Sequence, residues 1–331
     1  MSLLEKFKNK TVLVIGDVMV DSYLWGRVDR ISPEAPVPVV AVKRRSNSLG
    51  GAANVALNLK ALGARPVLCS VIGEDIKGRE FLEMLRSEDL SAEGVIQSKD
   101  RITTTKFRVF GNSNQMLRVD EEITDDLSPD DEADFRKTVL NLIDNKKIDV
   151  VVFQDYDKGL LTKHIINVVT EKCNSAGVPV AVDPKLRNFR EYKNVALFKP
   201  NLKELREGLK MDIRIENSWE LENAANMIHR DQKVAIVFTT LSSAGVFISS
   251  FNEENQLVRH TIPAHVRSIS DVSGAGDTVI SVAALALASG MKPYNIAAVS
   301  NLAGGLVCEE VGVVPIDVEK FRTELEKLEL E

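Results

Sequence analysis

The sequence predicts an α/β fold in which a doubly wound, mainly parallel β-sheet carries a small projecting β-sheet. Three observations predict it. Near-continuous apolar runs of strand length recur along the chain, which is typical of strands covered on both faces. Segments with helical periodicity separate these runs. Two further segments alternate apolar and polar residues, which is typical of strands with one face in solvent.

The main sheet is predicted from four apolar runs. The apolar runs are Thr11–Gly16, Asp149–Phe153, Val178–Pro184 and Val234–Thr240. The helical patterns between them are residues 51–63, 78–89 and 162–177. Alternation of strand and helix favours parallel pairing, because parallel strands need a crossover connection. The third helix should stop at Gly177, since glycine readily adopts the left-handed conformation that ends helices.

The projecting sheet is predicted from Ala35–Arg45 and Thr103–Asp120, which we expect to form solvent-facing antiparallel strands. The turn residues 111–114 support a hairpin in the second segment. We expect a single domain over residues 1–331, with lid segments at 18–45 and 100–122. The chain shows no internal repeat and no low-complexity linker, so one domain is preferred to two equal ones.

Composition excludes several classes of function. The 331 residues carry a formal net charge of −6, which argues against a nucleic-acid partner. No apolar run reaches membrane-spanning length, and the first ten residues lack the apolar core of a signal peptide. Cys69, Cys173 and Cys308 lie far apart in apolar surroundings and are interpreted as buried core thiols. The histidines show no metal-binding spacing. A cytoplasmic protein without a membrane or nucleic-acid partner is expected.

Residues 271–278 read DVSGAGDT and lead into a long apolar segment. A bare loop followed by a helix gathers free backbone N–H groups and the positive end of the helix dipole, which makes an anion site. Asp277 would stand in the first helical turn beside it. That position suits a carboxylate that takes a proton from a hydroxyl while the N–H groups hold the phosphoryl group. Alternatively, Asp277 is a favourable first-turn acid and the glycines only make a tight turn.

Two other phosphate-binding motifs are not matched by this sequence. Residues 73–80 have the glycine spacing of a Walker A loop, but Arg79 and Glu80 stand where lysine and a hydroxyl residue are required. A dinucleotide fingerprint needs three glycines after the first strand, and residues 16–21 contain one.

Several motifs, in one order along the whole chain, resemble those of the PfkB/ribokinase family of sugar kinases. They are GGAANVALNLKALG, GEDIKG, KPNLKE, TTLSSAGV and DVSGAGDT. The resemblance implies a ribokinase-like fold, ATP and Mg²⁺ as cofactors, and a sugar as acceptor. Within the family, RISPEAPVPVV, TTKFRVF, DYDKGLL and DPKLRNF are similar to the bacterial D-glycero-β-D-manno-heptose 7-phosphate kinases. That likeness implies phosphorylation of the anomeric hydroxyl to the 1,7-bisphosphate, a step toward ADP-heptose for lipopolysaccharide core.

The resemblance also assigns residues. Asp277 would be the general base, and Gly274, Ala275 and Gly276 the anion hole. The residues that would meet the sugar are Asp21, Gly50, Gly51, Asn54 and Asp155. A tight helix start or a turn cap is the alternative for these. The cations that would bind the phosphate already present on the sugar, the distal phosphate, are Lys106, Arg108, Arg118, Lys158 and Lys185. Lys158 and Arg108 are favoured, and solvated surface charge is the alternative for each.

For the nucleotide, the resemblance implies a second set of residues. They are Asn201, Glu204, Thr240, Ser242, Gly245 and Asn301. Glu204 would hold Mg²⁺ through water, although Asn201 and Glu204 are also suited to a helix capping box. Asp271 is a candidate ligand of a monovalent cation such as K⁺. An H-x-G-H signature of adenylyl transfer is absent from the sequence, so we expect this chain not to carry out that step.

The apolar strand PVPVVAV predicts a homodimer that pairs through the lid, because such a strand is a poor solvated edge. Two alternatives to the heptose kinase remain open. One is a family member that acts on another sugar phosphate, such as fructose 6-phosphate, or on a nucleoside. The other is a non-catalytic sugar sensor, against which the intact Asp277 and glycine loop count.

Overall fold

The computed structural model describes residues 2–112, 114–265, 269–310 and 312–330. In chain order the strands are β1 (Thr11–Gly16), β2 (Val18–Ile31), β3 (Pro38–Gly51), β4 (Arg65–Gly73), β5 (Gly94–Ser98), β6 (Thr105–Gly111), β7 (Asn114–Glu121), β8 (Val150–Gln154), β9 (Val180–Asp183), β10 (Leu197–Phe198), β11 (Ile236–Thr240), β12 (Val246–Phe251) and β13 (Leu257–Ile262). The helices are α1 (Leu3–Phe7), α2 (Ala52–Ala61), α3 (Ile76–Ser87), α4 (Pro129–Asn145), α5 (Lys163–Ser175), α6 (Leu202–Leu209), α7 (Ser218–Gln232), α8 (Ala275–Ala288), α9 (Pro293–Val307) and α10 (Val318–Leu325).

The large sheet has nine strands in the order β13-β12-β11-β10-β9-β8-β1-β4-β5. The seven strands from β11 to β5 are parallel, and β12 and β13 add an antiparallel edge. Strand β1 shows why both faces are covered. Val12 and Val14 point into the core formed with α2, α8 and α9, while Leu13 and Ile15 point into the core formed with α4, α5 and α7. The predicted doubly wound, mainly parallel sheet is confirmed.

Local sequence sets the helix ends. Asp75, Ser128 and Thr162 accept backbone hydrogen bonds as N-caps of α3, α4 and α5. Gly177 follows α5 with φ +68° and ends it where the sequence predicts. Among the described residues, no helix is long and apolar enough to cross a membrane.

The second sheet, which we call the lid, has the order β3-β2-β6-β7. Its two hairpins, β2–β3 and β6–β7, are antiparallel, the second as predicted, but β2 and β6 pair in parallel. The expectation of an entirely antiparallel lid is therefore wrong. The inner strands run the same way because each enters the lid from the main sheet, β2 after β1 and β6 after β5. The lid strands also extend to Gly51, beyond the predicted limit at residue 45, and Ser113 of the predicted turn lies outside the described residues.

The three cysteines divide into two kinds. Cys69 and Cys173 are buried in the core, as predicted. Cys308 is only half-buried and lines a cavity, so its interpretation as a core thiol is wrong. It follows α9, whose last turn opens onto the candidate site.

Candidate active site

The candidate site lies where parallel strands of the large sheet end side by side. The sheet order reverses at β1, so β8 and β4 leave it in opposite directions, and a crevice forms at such a switch point. Polar side chains end three strands there: Gln154 on β8, Asp183 on β9 and, just after β10, Lys199. All three are buried. A polar centre at the carboxyl edge of a parallel sheet is the usual place for a ligand site.

The glycine loop lies beside these strand ends. Gly274 has φ +81°, and α8 begins at the next residue without a side-chain cap from any described residue. Gly276 is exposed, and a Cβ placed on it would find its nearest neighbours, Asp183 and Lys199, 3.8 and 4.0 Å away. The first turn of α8 therefore opens to free space at Gly276, whereas the Ala275 N–H donates to the Val272 carbonyl oxygen at 3.3 Å. An open helix start of this kind is suited to an anion.

Asp277 lies in that first turn, only 5% exposed, and both its carboxylate oxygens accept hydrogen bonds. Asn54 Nδ2 donates to Oδ2 at 2.7 Å. Tyr156 Oη and Gln154 Nε2 donate to Oδ1 at 2.7 and 3.1 Å. Burial raises the pKa of Asp277 to about 6, although the bonds from Asn54 and Tyr156 oppose the shift. The carboxyl group is thus fixed in orientation and titrates near neutrality, as a general base should.

A buried ion pair lies directly behind the glycine loop. Lys199 Nζ is 3.1 Å from Asp183 Oδ2, and the two side chains are 3% and 6% exposed. Gln154 Nε2 also donates to Asp183 Oδ2, at 3.3 Å. The pair therefore joins the strand ends to Asp277 through Gln154. It also places one ammonium group near the space in front of Gly276.

Lys185 lies beside the start of α6. Its ammonium donates to Glu204 Oε1 and lies 5.6 Å from the centroid of the Tyr156 ring. Burial lowers the pKa of Lys185, but Asp183 and Glu204 raise it by more, so this lysine stays charged. The sequence placed Lys185 among cations for a distal phosphate. In the structure its ammonium group contacts Glu204 at the start of α6, and its role toward a distal phosphate stays a prediction.

A cavity of about 660 Å³ opens beside the glycine loop, a volume suited to a nucleotide-sized molecule. Its lining includes five of the six residues that the sequence assigned to the nucleotide, together with part of the glycine loop and Cys308. These residues are Asn201, Thr240, Ser242, Gly245, Asn301, Ala275 and Gly276. Gly245 has φ +93°, and a Cβ on it would lie 2.1 Å from the Ile262 carbonyl oxygen. Only glycine fits at that point of the rim.

The capping box that the sequence offered as an alternative at the start of α6 is present. Asn201 Oδ1 accepts from the Glu204 N–H at 2.9 Å, and Glu204 Oε2 accepts from the Asn201 N–H at 2.8 Å. Because Glu204 Oε1 accepts from Lys185, both oxygens of this carboxylate already have protein partners. Such a carboxylate fits a Mg²⁺ ion that keeps its waters better than one bound directly.

The lid presents an ion pair to the site. Arg108 Nη1 donates to Asp21 Oδ1 at 2.5 Å, and Asp21 is buried against Gly50, where a Cβ would come within 2.2 Å of the Asp21 carboxylate. The glycine at position 50 is therefore required for the close approach of β3 to Asp21. Gly51, the next residue, has φ +63° and starts α2.

The remaining lid cations also have acidic partners. Lys106 pairs with Asp120 at 3.1 Å, Arg118 pairs with the same carboxylate, and Lys158 pairs with Glu122 at 2.8 Å. Arg108 and Arg118 lie directly opposite each other on β6 and β7, so their side chains share one face of the lid. The cations that the sequence selected are thus grouped, except for Lys185.

Two predicted sugar contacts, Asp155 and Asn54, have protein partners in this structure. Asp155 is 1% exposed and accepts hydrogen bonds from Tyr192 Oη at 2.6 Å and from the Asp157 N–H at 2.8 Å. Its side chain points into the core because residues alternate in and out along an extended strand, and it is Gln154 that faces the site. Asn54 is fully buried, and its amide nitrogen is committed to Asp277 rather than to the sugar space.

Asp271, the candidate cation ligand, accepts backbone hydrogen bonds from nearby loop residues. One carboxylate oxygen accepts from the Ser273 N–H at 2.9 Å and the other from the Gly312 N–H at 3.0 Å. These bonds hold the pKa of Asp271 below its usual range against the opposing effect of burial. A monovalent cation at this position stays a prediction.

Sequence reasoning missed Gln154, Tyr156, Asp183 and Lys199. A signal was available, because each follows or ends an apolar run, and polar residues at the carboxyl ends of parallel strands converge on one edge. What the sequence does not provide is the phase of each strand, which decides whether Gln154 or Asp155 faces the site.

An anion-binding helix start that meets both a nucleotide-sized cavity and a buried carboxylate is what a small-molecule phosphotransferase needs, and the comparisons with known proteins agree. The family described as pfkB family carbohydrate kinase matches residues 9–320, and the chain belongs to that family. It is a phosphotransferase that acts on an alcohol group of a sugar.

Individual relatives are similar over nearly the whole chain. The bifunctional protein HldE of Helicobacter pylori is 36% identical over 314 residues, which cover 94% of this chain and 65% of that protein. The fold is similar to Escherichia coli phosphofructokinase-2 in complex with potassium, with a TM-score of 0.77, 17% identity and coverage of 96% and 97% of the two chains. It is also similar to Arabidopsis thaliana ribokinase complexed with ribose and ATP, with a TM-score of 0.71, 19% identity and coverage of 96% and 99%.

Proposed function

We propose that this kinase transfers the γ-phosphoryl group of ATP to the anomeric hydroxyl of D-glycero-β-D-manno-heptose 7-phosphate and forms the 1,7-bisphosphate. The observation that carries the proposal is the position of Asp277, a buried carboxyl group in the first turn of the anion-binding helix. The motifs that resemble the heptose 7-phosphate kinases support the heptose phosphate as the acceptor, and the similarity to HldE extends over nearly the whole chain. This chain spans about two-thirds of the length of such relatives, so the acceptor is assigned here only as a proposal.

In the proposed reaction, Asp277 removes the proton of the anomeric hydroxyl as its oxygen attacks the γ-phosphorus. The new O–P bond forms, the bond to the β-phosphate oxygen breaks, and ADP leaves. The N–H groups of Gly274 and Gly276, with that of Ala275 when it releases the Val272 carbonyl oxygen, stabilise the charge on the transferred group. Lys199 Nζ lies 4.0 Å from the point where a Cβ on Gly276 would stand, so its charge adds to the same effect.

ATP is assigned to the cavity lined by Asn201, Thr240, Ser242, Gly245 and Asn301. Mg²⁺ bound with the nucleotide would neutralise phosphate charge. Glu204 is the carboxylate suited to hold a water of that ion, and Lys185 beside it is suited to a phosphate oxygen. We assign the reaction to the cytoplasm, where ATP is supplied.

The distal phosphate of the acceptor is assigned to the lid cations, with Arg108 and Lys158 as the main partners. Both are partly buried, with side chains 18% and 15% exposed, and each already contacts one carboxylate. A phosphate that enters must therefore exchange with Asp21 or Glu122. Asp21, once released, could accept hydrogen bonds from the sugar hydroxyls.

The experiment that tests the proposal is ATP-dependent ADP release with a panel of acceptors. The panel contains D-glycero-D-manno-heptose 7-phosphate, sedoheptulose 7-phosphate, fructose 6-phosphate, ribose and adenosine. We expect turnover with the manno-heptose phosphate at a kcat/KM at least about tenfold above the others. The lid cations account for about 1.4 kcal/mol or more of discrimination against ribose and adenosine, which carry no phosphate. Discrimination against the other two sugar phosphates falls to the shape of the sugar space. Preference for fructose 6-phosphate or another acceptor would replace the substrate but keep the base. Absence of turnover with every acceptor would favour the sugar sensor.

The lid is also proposed to form a homodimer interface. Many of the exposed large apolar side chains of the described residues lie on it, namely Ile31, Val37, Val42, Met116, Leu117 and Val119. Leu117 and Val119 alternate with Arg118 and Asp120, so the lid has an apolar face opposite the face that carries Arg108. An apolar sheet face of this kind is suited to a second copy of the chain.

We expect light scattering to show a dimer at micromolar concentration, and Leu117→Glu to shift it toward monomer by at least about tenfold in Kd. A buried charge at an apolar interface accounts for that loss. Trp219→Glu on α7 is the matched control, since Trp219 is 66% exposed and lies outside the lid. A monomeric wild-type protein would refute the interface.

A further inference from the structure

The hydrogen bonds of Asp277 are distributed unevenly over its two oxygens. Oδ1 accepts two, from Tyr156 Oη at 2.7 Å and from Gln154 Nε2 at 3.1 Å. Oδ2 accepts one, from Asn54 Nδ2 at 2.7 Å. A carboxylate oxygen has two in-plane lone pairs. Oδ1 is therefore saturated, and Oδ2 keeps one lone pair for a further partner.

This asymmetry decides which oxygen can act as the base. A proton on Oδ1 would meet two donors and would break at least one of their bonds. A proton on Oδ2 uses the lone pair that is free and leaves all three bonds in place. We propose that Tyr156 is a positioning residue that, with Gln154, occupies Oδ1 of Asp277, so that Oδ2 takes the proton of the acceptor hydroxyl and the carboxylate stays ionised at neutral pH. The inference rests on the proposed role of Asp277 as the base.

Tyr156 is well placed for this role because its backbone is fixed independently of the substrate. Asp17, buried at the end of β1, accepts hydrogen bonds from the N–H groups of Tyr156 and Lys158, at 2.9 and 3.2 Å. The Leu160 N–H donates to the other Asp17 oxygen at 3.4 Å. Backbone hydrogen bonds to Asp17 thus hold the loop that carries Tyr156 beside the end of β1. From this fixed position the phenol donates to Asp277.

Other groups also act on the ionisation of Asp277. The charged or titratable ones are Tyr156, Asp183, Lys199 and Lys185, and the neutral ones are Asn54 and Gln154. Asp183 favours the protonated form of Asp277, whereas Lys199 and the bond from Tyr156 favour the ionised form. The pKa of Tyr156 itself is raised well above its usual value by burial and by Asp277, so its hydroxyl remains a donor. Tyr156→Phe removes one hydrogen bond and changes no charge.

The test compares the pH dependence of kcat/KM for the acceptor, at saturating ATP, in wild type and Tyr156→Phe between about pH 5 and 9. The base acts when ionised, so activity rises with pH through the pKa of Asp277, about 6 in the wild type. Loss of the Tyr156 bond should move this limb up by about one pH unit. Activity at about pH 6 then falls about fivefold, and activity at about pH 8.5 recovers to about the wild-type level. A phosphate group on the acceptor titrates in the same range, but it is common to both proteins and cancels in the comparison.

Tyr192→Phe is the matched control. Tyr192 is also a buried tyrosine that donates to a carboxylate, Asp155, at 2.6 Å. It should leave the acid limb in place whatever it does to the melting temperature. An unshifted limb in Tyr156→Phe, a loss of activity equal at all pH values, or an equal shift in Tyr192→Phe would each overturn the inference. Full activity of Asp277→Asn would overturn the base itself, so the two failures are distinguishable.

Discussion

Asp277→Asn is expected to lower kcat by a factor on the order of 10²–10⁴, the usual contribution of a general base. The substitution keeps the shape of the side chain, so the start of α8 and the cavity beside it should be unchanged. ATP affinity, measured by calorimetry, should stay within about threefold of wild type, because the cavity residues do not include Asp277. A fall in kcat without a matching loss of ATP affinity is the signature of a group that acts in the transition state.

The control for this prediction is Asp149→Asn. Asp149 accepts from the Thr11 N–H and pairs with Lys10 at the opposite edge of the same sheet. The control should reduce the free energy of unfolding and leave kcat near the wild-type value. Turnover of Asp277→Asn within about tenfold of wild type would contradict the assignment of the base.

The sequence predicts the parts of this protein that depend on local pattern. In β1, Val12 to Ile15 form an apolar run, and a run that is apolar on both faces can only be a strand covered twice. The glycine loop before α8 was likewise visible, because Gly274 and Gly276 leave the backbone bare where a helix begins. Four of the residues named for the nucleotide from the family likeness, Asn201, Thr240, Ser242 and Gly245, stand at or beside element ends and line one cavity.

The parts that sequence could not predict depend on pairing between distant residues. Whether Gln154 or Asp155 faces the site depends on the phase of β8, and two polar residues in succession at a strand end carry no phase information. The parallel pairing of β2 with β6 joins segments that are distant in the chain, and neither hairpin alone specifies it. Lys199 reads as an ordinary surface lysine until Asp183 is placed beside it.

Lys199→Met is expected to reduce the free energy of unfolding by about 3–5 kcal/mol, because it leaves the Asp183 carboxylate buried without its partner. Urea denaturation measures this cost. Lys203→Met is the matched control, since Lys203 is 80% exposed and lies 3.8 Å from Glu207. That control should cost less than about 1 kcal/mol. Equal effects of the two substitutions would contradict the buried pair.

The double variant Asp183→Asn/Lys199→Met then separates stability from chemistry. The amide that replaces the Asp183 carboxylate would still accept from Gln154 and would need no cation. The double variant should therefore unfold at a free energy closer to wild type than Lys199→Met alone. Its kcat should stay low, because the Lys199 ammonium group would no longer lie beside Gly276 to meet the transferred phosphoryl group. Recovery of stability without recovery of turnover would show that the Lys199 charge acts in the reaction. Recovery of both would leave Lys199 only a structural partner of Asp183.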